Sequence, residues 1–231
     1  MTQITDHLAD IERRIDLALA RSGRRGERVT IVAVSKRQPA AAVLEAAAAG
    51  VADFGENYLT EGLAKIAAVA RPSLRWHFVG RIQANKTRPI AEHFSWAATV
   101  DRARIADRLS AQRPDNLEPL NVLIQLNLDA EPQKGGVGRS ELLPLAAHVA
   151  ALPALALRGV MAMPPAGQSE AGNRASFLAV AAEAGRLREA GFAVDTVSMG
   201  MSADFELAIE CGANQVRIGT ALFGPRPAEP A

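Results

Sequence analysis

Eight short apolar segments alternate with seven helix-like ones along this chain, and that alternation constrains its fold more than any other feature. The strand candidates are Val29–Ser35, Asp53–Gly55, Leu74–Val79, Trp96–Val100, Asn121–Leu128, Leu155–Ala162, Thr196–Met199 and Gln215–Ile218. Helical segments lie between them at about 39–50, 58–70, 85–93, 102–112, 140–151, 170–190 and 203–211. Strands five, six and eight read as nearly continuous apolar runs, as parallel strands covered on both faces do. Alternating strands and helices build a parallel α/β sheet, and a count of eight favours closure into a single (β/α)8 TIM-type barrel. An open doubly wound sheet is the alternative.

An additional N-terminal helix precedes the first strand. Ile4, Leu8, Ile11, Ile15 and Leu19 recur at steps of three and four, so one face is apolar and must pack on something. Little chain follows strand eight, and this helix is expected to cover the face left bare there. No Ser/Gly/Pro-rich linker divides the 231 residues. The expectation is one domain over 1–231, with its core at about 5–224 and a tail at 225–231.

Composition narrows the partners. The chain is 48% hydrophobic and 22% charged, a globular balance. Lys and Arg number 26 against 25 Asp and Glu, so charge gives no reason to expect nucleic acid or an anionic membrane. The lone Cys211 excludes an internal disulfide and suits a reducing compartment. With four scattered histidines it makes no metal-ligand spacing. Residues 1–10 carry no basic start followed by an apolar run, and no stretch is long enough to span a bilayer. A soluble, cytoplasmic protein is expected.

Chemistry concentrates at strand ends. Lys36 closes the first strand, where α/β folds build their sites. Partial desolvation there disfavours the ammonium, and a neutral amine can form a Schiff base with an aldehyde. The other reading is a lysine snorkelling into water. The loops after strands seven and eight carry Gly200, Ser202, Gly219 and Thr220, suited to a phosphate held by backbone N–H groups and hydroxyls. Ser202 is also read as a helix N-cap. Either loop could be an ordinary turn, but strand one adjoins strand eight in a closed barrel, so both converge on Lys36. Arg217 lies inside the apolar strand Val216–Ile218; buried there, it needs a ligand acceptor or a carboxylate.

Other strand ends face the same rim. Asn57 can hydrogen-bond a ligand while Glu56 balances a nearby cation. His77 is either a site residue or a satisfied core histidine. Asn85 is read as a helix cap beside the pocket. Lys134, on the loop after strand five, is either solvated or able to hold an aldehyde transiently.

Six motifs occur in order: Ala33–Lys36, Phe54–Tyr58, Trp76–Gly80, Gln83–Lys86, Ser198–Ser202 and Val216–Thr220. On these the chain resembles the pyridoxal phosphate homeostasis proteins, the YggS/PROSC family, from about residue 5 to Gly224. Arg81 departs from that pattern, where a non-basic residue is expected. The resemblance implies an alanine racemase N-terminal-type barrel holding pyridoxal 5′-phosphate (PLP), with Lys36 carrying the aldimine. It implies that Ser202, Gly219 and Thr220 bind the phosphate, Arg217 faces the pyridine nitrogen, and Asn57 touches the ring or its hydroxyl. An arginine there disfavours the protonated ring that acts as an electron sink. Racemases add a tyrosine from a further domain, whereas this sequence has one tyrosine, Tyr58, read as packing beside the pocket. The implied role is a non-catalytic, monomeric PLP carrier in vitamin B6 homeostasis, with PLP-dependent apo-enzymes as partners. The alternatives are a weak PLP-dependent amino-acid racemase and a class I aldolase.

Overall fold

The computed structural model describes residues 2–128, 135–165 and 167–225. Eight strands pair in chain order, all parallel: β1 (Thr30–Val34), β2 (Asp53–Glu56), β3 (Arg75–Phe78), β4 (Trp96–Val100), β5 (Leu120–Gln125), β6 (Leu155–Met161), β7 (Thr196–Met201) and β8 (Gln215–Ile218). β8 pairs back onto β1, with Val32 opposite Arg217 and Ala33 opposite Ile218, so the sheet is a closed barrel. Around it lie α1 (Gln3–Arg21), α2 (Ala40–Ala48), α3 (Leu59–Val69), α4 (Thr87–His93), α5 (Ala103–Gln112), α6 (Arg139–Ala150), α7 (Glu170–Glu189), α8 (Phe205–Glu210) and α9 (Thr220–Phe223).

Boundaries differ from the sequence reading where local geometry intervenes. β5 ends at Gln125, beyond which Leu126 makes only an isolated bridge to Val137. The helix expected from residue 85 begins as a 3-10 turn over Ala84–Lys86. The expected tail falls, apart from Pro225, outside the described residues.

Strand alternation sorts the core into two compartments. Successive side chains point to opposite faces. On β1 and β2, Val32, Val34 and Gly55 turn into the lumen: a Cβ on Gly55 would lie 3.1 Å from Val32 and 3.4 Å from Val34. Ala33, Phe54, Trp76 and Phe78 turn outward into the large apolar layer beneath the helices. There the Phe54 and Trp76 rings lie 5.6 Å apart, and Phe78 meets Phe94 edge-on at 5.5 Å. The lumen holds a separate small cluster of Trp96, Ala98, Leu123 and Met161, with Val79 against it.

α1 closes the ring as expected. Ile4, Leu8, Ile11, Ile15 and Leu19 are all buried, and the helix packs on α8 and α9. Each such side chain contributes about 1.5–3 kcal/mol when fully buried. The partly exposed pairs Arg14–Glu206 and Arg21–Glu210, both 2.6 Å, orient the helix. Such pairs contribute about 0–1 kcal/mol each, so the apolar stripe dominates the docking. His7 Nδ1 lies 2.9 Å from the Leu222 carbonyl.

Candidate functional site

Lys36, Asn57, Ser202, Arg217, Gly219 and Thr220 line one cavity of ≈ 280 Å³. It opens at the carboxyl ends of the strands, where barrels of this kind place their chemistry. Lys36 arrives there by parity, since Val32 and Val34 face the lumen and the lysine continues the same face. It is half-buried. The next residue, Arg37, has φ 62°, a left-handed conformation that ends the strand direction at once.

Ser35, the outward neighbour of Lys36, is buried and donates to Glu56 Oε1 at 2.6 Å. Lys65 Nζ donates to the same oxygen at 2.8 Å. Lys65 is therefore the cation beside Glu56, and it lies behind the barrel wall rather than in the cavity. Burial raises the Glu56 carboxyl above its ordinary range, although Lys65 and Ser35 pull the other way. Its second oxygen, Oε2, has no hydrogen-bond partner among the described residues.

Arg217 reaches sideways through the lumen. Its Nη1 donates to the Ser198 carbonyl and hydroxyl, both at 2.9 Å, and Nη2 donates to the Ala162 carbonyl at 2.9 Å. The ion pair offered as one sequence reading is absent: no ion-pair partner of Arg217 is found among the described residues. Burial lowers its pKa to about 10, with Asp204 acting weakly in the opposite direction. The group is still cationic near neutral pH, and neutral acceptors leave its charge available to the cavity.

The two glycine-bearing loops meet tightly. Register breaks between Ser198 and Met201, and there Gly200 has φ 91°. A Cβ on Gly200 would lie 2.6 Å from the Ala208 methyl and 3.0 Å from the Phe205 Cα, so only glycine lets this loop sit on α8. Ser202 does not cap the helix, contrary to expectation. Asp204 occupies the N-cap position, and its Oδ1 accepts from the Met201 N–H at 2.7 Å. The Ser202 hydroxyl oxygen instead accepts from the Gly219 and Ala221 N–H groups, both at 3.2 Å. Two backbone donors already converge on one oxygen in the cavity wall, the arrangement that favours an anionic oxygen.

His77 does not line this cavity, and its surroundings match the core-histidine reading of the two that the sequence offered. It faces the lumen, but low in the barrel, with Gly55 and Trp96 as its register partners. Its ring stacks on Trp96 at 5.0 Å and 9°, and Nε2 lies 2.9 Å from Asp53 Oδ1. Arg75 grips the same carboxylate with bonds of 2.7 and 2.6 Å. Asp53, Arg75 and Trp96 line a different cavity, at the amino ends of the strands. Burial pushes the His77 pKa down, outweighing Asp53, so this is a neutral core histidine. Burial also opposes ionisation of Asp53, but the bonds from His77 and Arg75 win and hold its carboxyl below the usual range.

Two other expectations change, and a third cannot be placed. Tyr58 is 53% exposed and does not line the cavity. Asn85 sits within the 3-10 turn, whose N-cap is Gln83, with no side-chain capping bond. Lys134 lies outside the described residues. Sequence reasoning overlooked Gln38, Met163 and Met201 in the lining, and Glu61 and Lys65 behind it. The Glu61–Lys65 spacing, one helical turn apart, was the available signal. No group of metal-ligating side chains occurs among the described residues, nor is any of their helices long and apolar enough to cross a membrane.

A profile of the alanine racemase N-terminal domain family matches residues 7–227. The pyridoxal phosphate homeostasis protein of Pseudomonas aeruginosa is 51% identical over 230 residues, covering 98% of this chain and 97% of that one. The chain belongs to the pyridoxal phosphate homeostasis protein family. Within the family, PipY of Synechococcus elongatus has been solved without PLP and with PLP bound. The two structures align at TM-scores of 0.87 and 0.83, each 34% identical and covering 96% of this chain and 100% of PipY. PipY thus shares the fold described above.

Proposed function

We propose that this chain holds pyridoxal 5′-phosphate at the carboxyl mouth of the barrel, linked to Lys36 as a Schiff base, and buffers or delivers it without turning over a substrate. The observation that carries the reading is the makeup of the cavity. It combines one lysine, one buried arginine and a cradle of backbone donors, and none of its described lining residues is Asp, Glu, His or Tyr. When bound, the cofactor supplies an aldehyde that condenses reversibly with an amine and a ring that can stabilise a neighbouring carbanion.

The residues present fit that group. The Gly219 and Ala221 N–H groups, which converge on the Ser202 hydroxyl oxygen, would together with that hydroxyl and Thr220 suit the phosphate. Arg217 would present positive charge to the ring nitrogen and disfavour its protonation, which would weaken the electron sink. Asn57, in the same lining, would meet the ring or its hydroxyl. Racemisation needs a second acid or base on the far side of the substrate, and Tyr58, exposed and outside the lining, does not supply one. The proposal extends to a cytoplasmic monomer that passes its cargo to PLP-dependent apo-enzymes.

The test begins with a visible spectrum of the purified protein. Borohydride reduction followed by peptide mass spectrometry is expected to place the cofactor mass on Lys36, and Lys36→Ala is expected to abolish the absorbance. A cofactor mass on another lysine would overturn the site. Exchange between D- and L-amino acids above the Lys36→Ala background would replace the carrier with a racemase.

A further inference from the structure

Both peptide groups that flank Lys36 are held by charged side chains of α3. The Ser35 carbonyl, which belongs to the peptide before Lys36, accepts from Lys65 Nζ at 2.5 Å. The Arg37 N–H, which belongs to the peptide after it, donates to Glu61 Oε1 at 2.5 Å. Lys65 and Glu61 are themselves joined at 2.6 Å, and Lys65 is anchored to β2 through Glu56 at 2.8 Å. The Lys65 side chain is only 7% exposed and that of Glu56 is fully buried, so the bonds from Lys65 to Ser35 and Glu56 are little weakened by water, whereas the Glu61–Arg37 bond lies at the surface.

Peptide groups are rigid planes, and the two planes beside a residue fix its φ and ψ. Holding both therefore fixes where the Lys36 Cα–Cβ bond points. The second bond falls on Arg37, whose φ of 62° is costly for a residue with a Cβ and persists only where the surroundings enforce it. Buried ion pairs are poor sources of stability because desolvation offsets their attraction. This one places a bond on each side of a single lysine instead.

We infer that Glu61 and Lys65 are positioning residues that aim the Lys36 amine into the cavity before any ligand arrives. The inference rests on the proposed role of Lys36 as the attachment point. In that step the amine nitrogen adds to the aldehyde carbon and one water leaves. A pre-aimed amine favours the condensation without altering how phosphate and ring are bound.

The experiment compares wild type, Glu61→Ala and Glu61→Gln with two ligands. Pyridoxal 5′-phosphate reports imine formation by its visible absorbance; pyridoxine 5′-phosphate, which lacks the aldehyde, reports the rest of the site by calorimetry. Glu61→Ala is expected to slow imine formation by about tenfold or more while pyridoxine 5′-phosphate affinity stays within about twofold. Glu61→Gln, which keeps an acceptor for the Arg37 N–H, is expected to restore most of the rate. Imine formation unchanged in Glu61→Ala, or an equal loss for both ligands, overturns the inference. Amide exchange supplies an independent reading in the ligand-free wild type, where the Arg37 N–H is expected to be protected; fast exchange there also overturns it. If wild type forms no imine at Lys36, the proposed function falls, while Arg37 exchange still reports on the clamp itself.

Discussion

Replacing Gly80 with alanine isolates one contact that sets the cavity wall. A Cβ at this position would stand 2.1 Å from the Asn57 carbonyl oxygen, 2.9 Å from its carbon and 3.1 Å from its Cα. Real contacts of this kind begin near 3.0 Å, and all three atoms are backbone, so the end of β2 must retreat by 0.9 Å, the difference between 3.0 and 2.1 Å. The φ of Gly80 lies outside the left-handed region, so the cost is steric and not conformational. Overpacking of this type costs about 1–3 kcal/mol. At this chain length each kcal/mol lowers Tm by about 2–4 °C, giving a fall of roughly 2–12 °C. Thermal melts check it, and binding of pyridoxine 5′-phosphate should weaken in parallel because Asn57 moves with its carbonyl. Gly185→Ala is the control of opposite sign. It sits within α7 with nothing within 4 Å of the new Cβ, and should gain about 0.5–1 kcal/mol. A Gly80→Ala protein that melts at or above wild type would refute the steric argument.

Two further expectations concern groups away from the cavity. His77 titrates below its ordinary 6.5 in the folded state, so the unfolded chain binds the extra proton first, and stability falls as pH drops below 6.5. His77→Phe keeps a ring against Trp96 and removes that proton; its urea midpoint should lose this part of the slope as pH falls below about 6.5. Glu56, with its raised pKa, acts with the opposite sign just above 4.5, but it is present in both proteins and cancels in the difference. Identical slopes would show that His77 does not titrate as described. Cys211 is 4% exposed, and burial pushes its thiol up. A thiol reagent is therefore expected to label it only at the rate of unfolding, and rapid labelling of native protein would contradict its burial.

Much of the fold was legible because barrel strands are bounded by strong signals. Parity along β1 carries Lys36 inward, and closure of β8 on β1 brings Arg217, Gly219 and Thr220 to it; both follow from the order of segments. Height within the barrel is a different quantity. His77 has the inward parity of a site residue, yet strand register sets it beside Trp96 and Asp53, below the mouth. Hydrogen-bond partners were the least legible. Ser202 has the composition of a helix cap, but the turn before α8 lets Asp204 take that place and leaves the serine facing loop eight. Arg217 was expected to need a carboxylate or a ligand, because a sequence does not reveal which carbonyls a bulged strand such as β7 turns inward. The Glu56–Lys65–Glu61 network was half visible as a helical i, i+4 pair, without the register that puts it behind Lys36.

The docking of α1 has a consequence for how the chain comes into being. Its apolar stripe is made first, yet the helices it covers come last, and Arg14 meets Glu206 across 192 positions of sequence. At translation rates of about 5–20 residues per second, the stripe waits roughly 10–40 s on the ribosome with its partners unmade. During that interval the apolar face of α1 lacks the two helices that will bury it.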